Sequence, residues 1–217
     1  MNMQPLLALL TLAAVATAAE PFDWNSETIH CGSLVYADNK TSVCFAEAFL
    51  TEAAQATGLR ISPKFAKVAL AKDEVFNTPL CVFTGEGDFT LKEPEQHNLR
   101  RYLENGGFVF ACPSCSDQKW NAAFEREIAR ALPGYQLKEI PMSHEIFSTV
   151  HEIRKLEVRG RTTMLRGIIA NGRLALVYSP EGLNDVSNAK GCCCCGGAEI
   201  TDARKVNVNA VAYALIF

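Results

Sequence analysis

Hydrophobic residues occur along the chain in short blocks whose spacing alternates between that of strands and that of helices. Residues 29–37 predict a first strand, and the apolar positions from Ser42 onward recur at helical spacing as far as Gly58, a residue suited to end a helix. Further apolar blocks at 68–70, 79–84 and 108–111 predict three more strands. The last block is apolar throughout, which is typical of a strand inside a covered parallel sheet.

The segments between and after these strands carry helical patterns with recognisable ends. The spacing of Thr90 and Glu93 predicts a capping box, and Gly106-Gly107 ends the helix that follows it. Asp117 is the predicted N-cap of another helix, which Pro133-Gly134 ends. Near the carboxyl terminus, Asn171-Gly172 predicts a β-hairpin, and residues 198–215 predict a closing helix.

This alternation predicts an α/β fold, a three-layer sandwich with a mostly parallel sheet and an edge β-hairpin. The chain has 217 residues, of which 48% are hydrophobic, and its formal net charge is −3. Such a composition indicates one globular domain, which we assign to residues 20–217. Without a basic excess the chain is not expected to bind nucleic acid. The sequence is compatible with a homo-oligomer.

The first residues form an uncharged apolar run that ends in small side chains. Residues 6–15 are an uncharged and, apart from Thr11, apolar run, and Ala16 and Ala18 are the small residues that a signal peptidase accepts. We therefore predict a signal peptide in residues 1–19 and an exported protein, periplasmic or extracellular. After cleavage no membrane association is expected.

Nine cysteines are the unusual part of the composition, and six of them fall in two groups. Cys112 and Cys115 form a C-x-x-C directly after a predicted strand, and Cys192, Cys193, Cys194 and Cys195 are consecutive. In an open α/β sheet, ligands bind beyond the carboxyl ends of the strands. Both groups follow strands, so we predict that they meet at that rim.

Thiolates are soft ligands, and the C-x-x-C spacing lets two sulfurs reach one ion. We therefore predict a transition-metal site or metal cluster bound by Cys112, Cys115 and Cys192 to Cys195. In an exported protein zinc or copper is favoured. An iron–sulfur cluster has suitable ligands but would need assembly after export.

Two alternatives remain open from the residues themselves. Disulfides persist in exported proteins, so the cysteines would then staple a structural or binding domain. A cysteine at a strand-to-helix turn is also a position for a nucleophile, which predicts a cysteine-dependent hydrolase. In that hypothesis Cys112 or Cys115 attacks, and His144 is the base.

Several motifs, spread over most of the chain, are similar to those of one bacterial family. They are FTGEGDF at 83–89, LRRYLENGGF at 99–108, GRLALVYS at 172–179 and VNAVAYA at 208–214. In these motifs the chain resembles the family called domain of unknown function 4159. The resemblance implies a flavodoxin-like fold related to class I glutamine amidotransferase-like domains, and it implies no activity. Family members commonly have Gly-His-Gly where Glu86 stands, and this departure weakens the case for a catalytic or ligand role of the centre of that loop.

Overall fold

The centre of the molecule is a seven-stranded, mostly parallel sheet. The computed structural model describes residues 28–38, 40–41, 45–185 and 198–217. The strands of the sheet are β1 (Gly32–Val35), β2 (Ala66–Ala69), β3 (Leu80–Gly85), β4 (Phe108–Pro113), β5 (Lys138–Glu139), β8 (Arg166–Ala170) and β9 (Arg173–Tyr178). A separate two-stranded hairpin consists of β6 (Leu156–Val158) and β7 (Arg161–Thr163).

The strands follow one another across the sheet in the order β2-β1-β3-β4-β9-β8-β5. The first five of these are mutually parallel, while β8 and β5 are antiparallel to their neighbours. If the five parallel strands are renumbered in chain order, so that β9 becomes the fifth, their order across the sheet is 2-1-3-4-5. This is the doubly wound order of flavodoxin-like sheets, and the direction of winding reverses beside β1. The predicted α/β sandwich is confirmed, and the point of reversal marks the crevice between β1 and β3.

Within the part of the chain that the structure describes, four helices cover the two faces of the sheet and bury two separate apolar cores. They are α1 (Ala48–Thr57), α2 (Glu93–Glu104), α3 (Gln118–Ala131) and α4 (Ala203–Ile216). Helices α1 and α4 pack on one face together with Val82 and Phe110. Helices α2 and α3 pack on the other face together with Phe83 and Val109. Neighbouring strand residues thus point to opposite cores, which explains why β3 and β4 are buried along their whole length and almost entirely apolar.

The helix ends follow the sequence in part. Gly58 ends α1 in the left-handed conformation at φ 71°, as predicted, and Asp117 caps α3 by accepting hydrogen bonds from two backbone N–H groups. The capping box predicted at Thr90 and Glu93 is wrong by two residues. The carboxylate of Glu95 accepts the backbone N–H of Lys92, at 2.8 Å, and α2 begins at Glu93.

The hairpin at Asn171-Gly172 is confirmed, with both residues at positive φ between β8 and β9. It lies inside the sheet rather than at its margin, because β9 pairs with β4 and β5 is added beyond β8. The short strands β5, β6 and β7 were not predicted from the sequence. They have two or three residues each, too few for an alternating pattern to emerge.

Candidate functional site

Three loops meet at the carboxyl ends of the parallel strands. Glu86–Asp88 follow β3, Ser114–Asp117 follow β4, and Ser179–Asp185 follow β9. Because β3 pairs with β4 and β4 pairs with β9, these loops are neighbours at one edge of the sheet. We call this edge the carboxyl rim. It is the place where an open α/β sheet binds ligands.

The backbone of the carboxyl rim is unusually strained. Seven residues other than glycine have positive φ in the described part of the chain, and five of them lie at this rim. Positive φ is costly for residues with a side chain and concentrates at functional sites. The five are Ala37 and Asp38 after β1, Cys115 and Ser116 after β4, and Asp185 after β9.

A buried chain of hydrogen bonds links the residues at the carboxyl ends of β1 and β3. The indole Nε1 of Trp120 donates to the hydroxyl of Tyr36 at 2.7 Å, and that hydroxyl donates to the carbonyl of Thr84 at 3.2 Å. A Cβ at Gly85 would lie 2.2 Å from the Tyr36 hydroxyl. Glycine is therefore required at the end of β3, and the loop after it starts from a fixed position.

Cys112 lies at the inner side of the carboxyl rim. Its side chain is fully buried, and burial raises the pKa of the thiol to about 12. The thiol donates to Oδ1 of Asn184 at 3.5 Å, while Nδ2 of Asn184 donates to the carbonyl of Pro113 at 3.1 Å. In this environment the thiol stays protonated and has its hydrogen bond satisfied. Asn184, which sequence reasoning missed, thus ties the loop after β9 to the C-x-x-C.

Cys115 is in a different environment from Cys112, although only two residues separate them. It is partly exposed and adopts φ 52° and ψ 27°, at the turn between β4 and α3. Its Sγ lies 3.9 Å from Oε1 of Glu86, the exposed residue that follows β3. The thiol therefore faces a carboxylate at the surface.

Asp117 connects the loop that carries Glu86 to the loop that carries Cys115. Its carboxylate accepts the backbone N–H groups of Lys119 and Trp120 as the cap of α3, and it also accepts the N–H of Gly87 at 3.1 Å. Partial burial opposes ionisation, but the three N–H donors outweigh it and hold the pKa of Asp117 below its ordinary value. The sequence predicted the cap; the bond to the neighbouring loop depends on the pairing of β3 with β4.

Cys192 to Cys195 lie outside the described residues, as does Cys44. The residues on either side of residues 186–197 are anchored to the carboxyl rim. The hydroxyl of Ser116 donates to the carbonyl of Ala198 at 2.7 Å, and the N–H of Gly182 donates to the same carbonyl at 2.8 Å. On the other side, Asn184 holds Cys112 and Pro113, as described above.

His144 is not brought together with the cysteines. Its ring centroid lies 5.5 Å from that of Tyr213, which in turn lies 5.9 Å from that of Phe108. Phe108 begins β4, whereas Cys115 follows the end of that strand, so His144 lies at the opposite, amino end of the sheet. Burial lowers the pKa of His144, and its Nδ1 accepts the N–H of Ile146.

The remaining described cysteines are buried in the two cores. Cys31 and Cys81 are free thiols, as is Cys112. Residues 32 and 81 pair across β1 and β3, so Cys31 and Cys81 face opposite sides of the sheet. Burial raises the pKa of both thiols. Within the described residues no group of three or more histidine, cysteine or acidic side chains is arranged to hold a metal ion.

No helix in the described ranges is both long and apolar enough to cross a membrane. No curated protein matches the chain. A family model described as "Domain of unknown function (DUF4159)" matches residues 30–215, which include every described strand and the carboxyl rim. The chain belongs to this family.

Proposed function

We propose that the protein binds a thiophilic transition-metal ion at the carboxyl rim, through Cys115 and members of Cys192 to Cys195. The observation that carries the proposal is the hydrogen bond between Ser116, the neighbour of Cys115, and Ala198. Cys195 precedes Ala198 by three residues, a stretch that spans at most about 11 Å when fully extended. This short connection between Cys195 and Ala198 supports the proposal that a cysteine of the run joins Cys115 at the site.

The two cysteines of the C-x-x-C differ in their suitability as ligands. A metal binds the thiolate, and its binding releases the proton of the thiol. The thiol of Cys112 has a pKa raised to about 12 and already donates to Asn184, so ionising it costs more than ionising an ordinary thiol. Cys115 is partly exposed and accessible to an ion from solvent. We therefore assign Cys115 to the site and leave Cys112, which the sequence also predicts as a ligand, out of the proposed ligand set.

The experiment is metal analysis of the intact chain, purified and reduced under anaerobic conditions. Zinc, copper and iron are quantified for the wild type and for Cys112→Ser, Cys115→Ser and a variant with serine at 192–195. We expect stoichiometric metal in the wild type and in Cys112→Ser, and its loss in the other two variants. Cys81→Ser is the matched control, because Cys81 is buried in the opposite core.

Absence of metal from the wild type, together with a failure to take up added Zn²⁺ or Cu⁺, would overturn the proposal. Disulfides among the cysteines of the oxidised chain, mapped by mass spectrometry, would then support the structural alternative. Circular dichroism of each variant separates loss of metal from loss of the fold.

Export belongs to the same proposal and is supported by the apolar run that ends at Ala18. Its test is the amino-terminal sequence of the protein recovered from culture medium or from a periplasmic fraction. A mature terminus near Ala19 is expected. Recovery of an uncleaved chain from the cytoplasm alone would overturn it.

A cysteine nucleophile is the second candidate, because Cys115 occupies a left-handed turn between a strand and a helix and faces the carboxylate of Glu86. In this candidate Glu86 takes the place of His144 as the base, since His144 lies at the amino end of the sheet. Hydrolysis of an activated ester that survives chelation of metal but is lost in Cys115→Ser would support it. Hydrolysis unchanged in Cys115→Ser would exclude it.

A further inference from the structure

We propose that Asn171 is a site of spontaneous deamidation, and that the loss of its side-chain amide releases the β8–β9 hairpin from the carboxyl end of α2. Water is the only co-reactant that this modification needs. The site lies at the amino end of the sheet, where β9 begins, and it is independent of the proposed metal site at the carboxyl rim.

The turn of the hairpin has the sequence in which an asparagine side chain is most easily attacked by its own backbone. A glycine that follows asparagine has no Cβ to crowd its nitrogen. The chain contains two such pairs, Asn105-Gly106 and Asn171-Gly172, and all four residues are exposed. A Cβ at either glycine would meet nothing within 4 Å. Neighbouring side chains therefore crowd neither pair.

The reaction proceeds in two steps and balances without an oxidant or a reductant. The backbone nitrogen of Gly172 forms a bond to Cγ of Asn171, and the side-chain nitrogen leaves as ammonia together with the proton of the backbone N–H. Water then adds to one of the two carbonyls of the resulting succinimide and opens the ring to aspartate or isoaspartate. Both products have a carboxylate in place of the amide, and isoaspartate also lengthens the backbone by one methylene group.

The amide of Asn171 joins the hairpin to α2. Its Nδ2 donates to the carbonyl of Glu104, the last residue of α2, at 2.8 Å. That carbonyl belongs to the negative end of the helix dipole, where carbonyls have no partner within the helix. On the other side of the turn, the guanidinium of Arg173 donates to the carbonyl of Gly106. A carboxylate at position 171 has no hydrogen to donate and brings a negative charge to this end of the helix.

Asn105 provides a comparison within the same chain. Its Nδ2 donates to the carbonyl of Arg101 at 2.6 Å, four residues earlier along α2. Conversion of Asn105 therefore alters the end of the helix but removes no hydrogen bond between the helix and the hairpin. The same reaction at Asn171 removes one.

The first measurement follows the wild type itself. The intact, folded chain is kept at mildly alkaline pH, and samples taken over days are analysed by peptide mapping with tandem mass spectrometry. We expect aspartate and isoaspartate to accumulate at position 171. If Asn171 stays intact in the folded chain while it is converted in urea, the fold protects it and the proposed site is wrong.

The second measurement is hydrogen exchange of Asn171→Asp, which has the side chain of one product, beside Asn105→Asp and the wild type. We expect backbone amides at the β8–β9 turn to exchange about tenfold faster in Asn171→Asp, the scale of losing one hydrogen bond. No change is expected there in Asn105→Asp. If Asn171→Asp does not fold, the deamidated fraction of aged wild type, separated by ion exchange, takes its place. Exchange equal to that of the wild type, or accelerated equally by both substitutions, would show that the amide of Asn171 does not hold the hairpin.

Discussion

The two ends of the parallel sheet are built differently, although the same strands run through both. At the amino end, the described turn with positive φ outside glycine is the Asn171-Gly172 hairpin, where the residue types favour that conformation. At the carboxyl rim, positive φ falls on alanine, aspartate, cysteine and serine. Of these, alanine, cysteine and serine have no intrinsic preference for the left-handed region.

The difference indicates where the residue types of a turn do not themselves favour its strained backbone conformation. A turn at the amino end is satisfied by its own residues, whereas the turns of the carboxyl rim are imposed by contacts between loops, such as Asp117 with Gly87 and Ser116 with Ala198. Strain maintained by surrounding structure is characteristic of sites rather than of connections.

The largest expected effect is a difference in thiol reactivity within the carboxyl rim. In metal-free, reduced protein at neutral pH, Cys112 should react with iodoacetamide at least about a thousandfold more slowly than an ordinary exposed thiol. The reason is its burial, which raises its pKa to about 12. Cys115, partly exposed at the turn, should be labelled first. Peptide mapping with tandem mass spectrometry measures both rates in one sample.

The same buried thiol gives a dependence of stability on pH. The folded pKa of Cys112 lies above the ordinary value of 9.0, so its contribution to stability is fully present below pH 9 and is lost as the pH rises toward 12. Over that window each such thiol lowers the free energy of unfolding by about 1.4 kcal/mol per pH unit. Cys112→Ser should reduce the slope by one proton. An unchanged slope would contradict the buried placement of the thiol.

A smaller effect is expected from adding one methyl group at either end of the sheet. Gly85→Ala at the carboxyl rim should lower the free energy of unfolding by about 2 kcal/mol, because its Cβ would overlap the hydroxyl of Tyr36. Gly134→Ala follows α3 toward the amino end, where nothing lies within 4 Å of the added Cβ. It should be neutral or slightly stabilising. Urea unfolding measures both, and equal losses would remove the contrast between the two ends.

The smallest effect concerns two aspartates at helix N-termini. Asp117 caps α3 with its side chain, whereas Asp202 precedes α4 without a capping hydrogen bond from its side chain. Asp117→Ala should cost about 1 kcal/mol of unfolding free energy, and Asp202→Ala about 0.3 kcal/mol or less. Since Asp117 also accepts the N–H of Gly87, its removal in addition breaks the contact between the loop that carries Glu86 and the loop that carries Cys115. Urea unfolding measures both losses, and equal losses would show that the capping hydrogen bonds of Asp117 contribute nothing to stability.

Local patterns in the sequence were sufficient for the framework of the fold. The apolar blocks of β3 and β4, the cap at Asp117 and the glycine at 58 act within a few residues, so their conformations follow from neighbouring side chains. The rule that ligands bind at the carboxyl ends of parallel strands then predicts a site at the loop that carries Cys112 and Cys115.

The different environments of the residues in that loop depend on contacts with residues that are distant in the sequence. Cys112 and Cys115 look alike in a C-x-x-C, and only the packing of Asn184 and Glu86, distant in sequence, makes one a buried thiol and the other a surface thiol beside a carboxylate. The sequence alone is compatible with His144 as the base for Cys112 or Cys115, but the fold places His144 against Tyr213 at the amino end of the sheet. Burial and the approach of residues from other strands decide the chemistry of a side chain, and neither is encoded in its immediate neighbours.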